Sequence, residues 1–195
     1  MKAVVNGPNP TSERSLLIAG ARRKLPGIPT FAEIVATLRN LASGSEALVA
    51  LFDARSIAGE RHLVSAWAHL GRSRRSGAQR LRDRGAEFAL YVSGDDQLGR
   101  ALAKVGVSPS TEEFVVVVER PRSLDETLVA LGLIIDPSVY PRPPSEETLE
   151  RLGIGAVERS TVPRSSWEGL VLERVALVDL VPPAAASTST ATKVR

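Results

Sequence analysis

The amino-acid sequence predicts one α+β domain, a central and mostly antiparallel sheet flanked by helices. Two observations carry that expectation. Short apolar runs of strand length, residues 47–52, 88–92 and 114–118, alternate with longer stretches whose apolar residues keep helical spacing. The chain has 195 residues, 43% of them hydrophobic, which is single-domain size. The part beyond its Pro-rich connector is too short to fold alone and should pack back on the sheet. The expected boundaries are a flexible N-terminus over residues 1–13, the domain over 14–183 and a disordered tail over 184–195, since both ends hold too little apolar content to pack.

Taken in order, residues 15–19 read as a short strand. Thr30 and Glu33 form a capping box ahead of an amphipathic helix that carries Phe31, Ile34, Val35, Leu38 and Leu41, and the small residues 42–45 end it. Residues 47–52 are a buried strand. A second helix, residues 57–74, turns Leu63, Trp67 and Leu70 inward. A polar helix or loop then leads to residues 88–92, read as another buried strand. Residues 93–96 turn the chain into a helix over 97–105 that Gly106 stops. Residues 114–118 are the clearest strand, followed by a helix over 124–131. The prolines between 137 and 144 exclude regular structure, because each lacks a donor and fixes φ. Residues 146–152 and a final helix over 167–180 close the domain.

Composition narrows function. The chain has 25 Lys plus Arg against 22 Asp plus Glu, so a strongly polycationic or wholly disordered protein is excluded. Of its cations 21 are Arg and four are Lys. Arginine suits phosphate, but a GC-rich coding genome produces the same bias. With no cysteine there is no disulfide, thiol nucleophile or thiolate metal site. No window approaches the ~20 apolar residues of a membrane span, so a soluble intracellular protein without a membrane partner is expected.

Side chains able to do chemistry are few. His62 and His69 lie seven apart on one helical face, with Glu60 and Glu87 the nearest acidic companions, but the spacing matches no metal pattern and helix packing is the plainer reading. Asp95 and Asp96 could hold Mg²⁺ or work as an acid/base pair; directly before a helix they equally suit a cap. No phosphate-binding glycine loop or nucleophile elbow occurs. The basic segment is more informative. From Glu60 to Arg84 there are seven arginines against Glu60 and Asp83, a local charge of +5 in a chain of +3. Such a cluster attracts phosphate in a salt-dependent way, or is simply a solvated helix end. Only Trp67 and Tyr91 flank it, so backbone or strand-end contact fits better than a base-stacking platform. The last helix is apolar on nearly every side, which calls for burial on one face and a protein partner on another, or for a central buried helix or a strand.

Phe52, Asp53 and Ala54, then Ile57, Gly59, His62 and Leu63, resemble the "FDA, I, G, HL" opening of the small kinase-binding subunit of the KEOPS complex, the PRPK-binding protein family. Residues 87–94, EFALYVSG, are similar to its "E-x-L-L-Y-x-S-G", and Gln97, Leu98, Ala101, Gly106 and Val107 follow in family order. Residues 114–118 and 173–180 match its next strand and closing helix. The resemblance covers most of residues 47–120 and the last helix. Gln79 and Leu81 replace a usual Asn and Ser, Arg82 retains the basic character there, and Asp96 stands where relatives carry Arg. Residues 137–163 and the tail look like additions.

The resemblance implies a non-catalytic subunit, without cofactor or metal, in the complex that installs N6-threonylcarbamoyladenosine in tRNA. It implies a cytoplasmic and archaeal protein that binds the Bud-type kinase/ATPase subunit and holds the 3′ CCA end of tRNA. On that basis Arg72, Arg74, Arg75, Arg80, Arg82 and Arg84 are the expected tRNA contacts, and Val171, Val175 and Val178, at i, i+4 and i+7, the expected kinase-facing residues. The competing classes are a small phosphate-processing enzyme built on Asp95, Asp96 or His62, and a homodimeric interaction module.

Overall fold

The computed structural model describes residues 3–6, 15–43 and 47–181; the expected tail over 184–195 lies outside them. Strand β1 (Ala3–Asn6) falls inside the stretch expected to be without structure. It forms the edge of the sheet, pairing antiparallel with β2 (Ser15–Arg23) from Ala3 opposite Ile18 to Asn6 opposite Ser15.

Helix α1 (Phe31–Ala42) begins as its capping box requires: Thr30 Oγ1 accepts the Glu33 N–H at 3.3 Å, and Glu33 Oε2 accepts the Thr30 N–H at 2.8 Å. Strand β3 (Val49–Asp53) leads through a 3-10 turn (Ala54–Ser56) into α2 (Glu60–Arg75).

Helix α3 (Arg84–Ser93) occupies the segment where a strand over 88–92 is predicted from sequence. The physical reason is its burial. Every residue from Glu87 to Ser93 is buried, because α2, the helix that follows α3, the last helix and β3 surround it, so no polar face marks a helical period. Its ends are nevertheless well defined. Asp83 Oδ1 caps the Ala86 N–H at 2.6 Å, and Gly94 closes the helix at φ +64°.

Helix α4 (Leu98–Val105) follows Gln97, and Gly106 ends it in an extended conformation, φ −70°, rather than the left-handed one. Next come β4 (Glu113–Glu119), α5 (Leu124–Ala130) and the three-residue β5 (Leu133–Ile135), which is absent from the sequence expectation. The Pro-rich connector is irregular. Short helices α6 (Glu146–Arg151) and α7 (Ala156–Ser160) precede α8 (Trp167–Leu177), whose chain ends in a 3-10 turn (Val178–Leu180).

The strand order is β1-β2-β4-β3, with β5 beside β1 on the same edge of β2 and every pairing antiparallel. Helices cover both faces, which is why β4 reads as an unbroken apolar run rather than an alternating one. Val115 and Val117 point into a core shared with α2, α3 and α8. Phe114, Val116 and Val118 point into a second core beneath α1 and α5. The C-terminal part packs back into the core on this face of the sheet, as expected, although α8 itself lies over α2 and α3 rather than directly on the strands.

Candidate binding surface

Helix α2 ends where its sequence supplies a left-handed residue. Gly77, at φ +72°, lets the Ala78 N–H reach back to the Ser73 carbonyl at 2.9 Å, closing the helix in a Schellman turn. Residues 76–83 then form a loop that ends at the Asp83 cap of α3. The six arginines of interest lie on the last turns of α2, on this loop and at the start of α3, and they divide into two sets.

Three of them turn inward. Arg74 donates from Nε to Glu87 Oε2 at 3.1 Å, and its Nη2 reaches the carbonyls of Leu81 and Arg82, each at 3.0 Å. Arg84 Nη2 meets both oxygens of Glu119 at 2.8 and 2.9 Å, and Glu119 also accepts from Trp67 Nε1 at 3.2 Å. Arg80 Nη2 donates to the Val178 carbonyl at 2.6 Å and also to that of Val181. A guanidinium enters a protein interior only when a carboxylate or carbonyls replace its water, and these three have done so. Of the six expected tRNA contacts, these three thus have their guanidiniums engaged within the chain, where they fasten the fold.

Arg72, Arg75 and Arg82 are exposed. Arg72 lies 3.9 Å from Asp179 across a cleft of about 610 Å³ that Arg75, Arg80, Tyr91 and Val181 also line. Arg82 borders a second cleft of about 470 Å³ beside Arg84 and Gly85.

The valines expected to face a kinase are core residues. Val171, Val175 and Val178 are 1%, 0% and 2% exposed, because the side of α8 they form lies on α2 and α3. Gly94 permits that approach: a Cβ there would stand 2.8 Å from Arg174 Cβ, in addition to the cost of its positive φ. The apolar side chains that α8 and its 3-10 turn leave in solvent are Leu177, Leu180 and Val181, and Leu180 is 76% exposed. This end adjoins the arginine loop through Arg80 and through His69 Nδ1, which is 2.6 Å from Asp179 Oδ2.

The remaining candidates for chemistry are occupied. His62 is fully buried; its Nδ1 accepts the Ala58 N–H at 3.1 Å, which puts the proton on Nε2, 2.8 Å from the Val92 carbonyl. Burial lowers its pKa to about 4, against a smaller opposing effect of the Val92 carbonyl, so it stays neutral and its ring nitrogens are engaged. Asp95 takes the Gln97 N–H at 3.1 Å, Arg100 Nε at 2.9 Å and Lys104 Nζ at 3.1 Å. Burial pushes its pKa up, and the Gln97 N–H with Lys104 and Arg100 more than reverses this, holding it below the usual carboxylate range. Asp96 pairs with Arg100 at 2.8 Å. Among the described residues no group of three His, Asp or Glu side chains could hold a metal ion, and no helix is long and apolar enough to cross a membrane.

Two buried acids are central here: Glu119, which sequence reasoning did not assign, and Glu87, considered there only as an acidic companion of the two histidines. Their signal was present: each is a lone carboxylate beside an apolar run, and such a residue inside a core requires a cation.

An α+β domain that places exposed arginines beside an exposed apolar helix end is a binding protein in design. The chain belongs to the CGI-121 family of kinase binding proteins, whose family model matches residues 31–151, more than half of it. The match includes part of the Pro-rich segment that looked like an addition, and it stops short of α8. No curated protein matches the chain.

Proposed function

We propose that this chain is a non-catalytic adaptor of a KEOPS-type complex, binding a Bud-type kinase and the 3′ CCA end of tRNA in the cytoplasm for threonylcarbamoyladenosine synthesis. Membership of a kinase-binding family is the observation that carries this reading. The surface supports it in two places. Leu177, Leu180 and Val181 offer an apolar patch of the kind a protein partner covers. Arg72, Arg75 and Arg82 are exposed cations on a fastened frame, suited to phosphate.

Two measurements test the two halves. Gel shifts should show intact tRNA binding more tightly than tRNA lacking its CCA end; equal binding removes the RNA half. A Leu180→Glu variant should fold normally and fail to co-elute with a Bud-type kinase, and continued co-elution rules out this patch as the docking surface.

A further inference from the structure

We propose that Glu87 is a positioning residue for RNA contact, a buried carboxylate whose task is to fix the shape of the arginine loop. The inference rests on the RNA half of the function proposed above. Glu87 has no exposed surface, so it touches no ligand. It sits at the base of residues 76–83, and donors from the end of α2 and from the loop itself converge on it. Ser73 Oγ lies 3.1 Å from Oε1 and 2.9 Å from the Ala78 carbonyl. The Arg80 backbone N–H donates to Oε1 at 3.0 Å. Arg74 donates to Oε2 at 3.1 Å and carries the connection on to the carbonyls of Leu81 and Arg82. Positions 80, 81 and 82 are thus tied, directly or through Arg74, to a single carboxylate, while the one Ser73 proton serves either Glu87 or the Ala78 carbonyl. Two arginines that face solvent lie next to these ties, Arg82 in the loop itself and Arg75 on the last turn of α2 directly after Arg74.

Only a carboxylate meets this demand. Its two oxygens accept from every side, whereas a glutamine would turn an NH₂ toward one group of donors and leave them unpaired. The same chemistry makes the proposal testable by sign. Glu87→Gln removes a negative charge beneath a basic surface, so on electrostatic grounds alone it would tighten tRNA binding and steepen its salt dependence. If the loop's shape matters, the variant binds more weakly despite its extra net positive charge.

The experiment measures tRNA affinity across a salt series for the full chain, the Glu87→Gln variant and an Arg75→Glu/Arg82→Glu double variant, with kinase co-elution as the control for folding. The expected result is a loss of about tenfold for Glu87→Gln, a shallower salt slope, faster amide exchange over residues 76–83 and unchanged kinase co-elution. Unchanged or tighter binding by Glu87→Gln overturns the inference. If the double variant binds like the parent, the RNA reading fails and this inference with it; if the double variant loses binding and Glu87→Gln does not, the positioning role alone fails. Should Glu87→Gln not fold, Ser73→Ala removes one tie and is expected to weaken binding about threefold; unchanged affinity there overturns the proposal as well.

Discussion

The loop over residues 76–83 and helix α8 meet at Arg80, yet they conceal opposite kinds of side chain. Helix α8 buries valines, which pack into the core at no electrostatic cost, and about 2 kcal/mol is gained for each one removed from water. The loop region buries guanidiniums, and each needs a partner of its own: Glu87 for Arg74, Glu119 for Arg84, two backbone carbonyls for Arg80. The difference teaches that a binding surface is what remains after the fold has taken its share. In α8 the core took one face and left Leu177 and Leu180; beside the loop, two buried carboxylates and two carbonyls hold three arginines inward, and Arg72, Arg75 and Arg82 remain outside.

The largest effect that would break this comparison is at Val175. A Val175→Glu substitution places a charge in the core and should destabilise by about 5 kcal/mol or unfold the chain, as measured by chemical denaturation; a stable, soluble variant would mean that α8 does not lie where described. Next is Arg84→Ala. It removes the guanidinium that meets both oxygens of the buried Glu119 and should cost about 3 to 4 kcal/mol, and a loss under about 1 kcal/mol would class Arg84 with the surface set.

Acid probes the same inward side. The His62 pKa is lowered in the folded state, so the unfolded chain binds the extra proton first and stability declines as pH falls from about 6.5 toward 4. The total loss from this group is about 3 kcal/mol. Denaturation midpoints of a His62→Gln variant should vary less across that range than those of the parent, and parallel curves would contradict the assignment. The smallest expected change in stability belongs to the outward set. Arg75→Glu with Arg82→Glu should shift stability by no more than about 0.5 kcal/mol while tRNA affinity falls and its dependence on salt flattens. A large loss of stability in that pair would erase the distinction between the two sets.

Much of the fold was legible in residue order. The Thr30 and Glu33 cap, the strands at β3 and β4 and the inward stripe of α2 all rest on local patterns that burial on the sheet reinforces. Helix α3 was not legible, because a helix enclosed on all sides has no amphipathic period, and Phe88, Tyr91 and Val92 favour strands. Its ends, Asp83 and Gly94, were the available signal. Strand β5 was missed for another reason: three residues gain their structure only from pairing with the far end of β2. The surface was legible as a basic segment and as an apolar helix, but not in its orientation. Which arginines turn inward depends on Glu119, which follows Arg84 by 35 positions and meets it only in the folded chain. Which side of α8 remains exposed depends on α2 and α3 in the same way.

The enclosure of the two carboxylates has a consequence for ionic strength. Dissolved ions cannot enter between Arg74 and Glu87 or between Arg84 and Glu119, whereas they gather freely around Arg72, Arg75 and Arg82, where screening acts over about 8 Å at physiological concentration. Added salt therefore competes with any anionic ligand at the surface and leaves the frame beneath untouched.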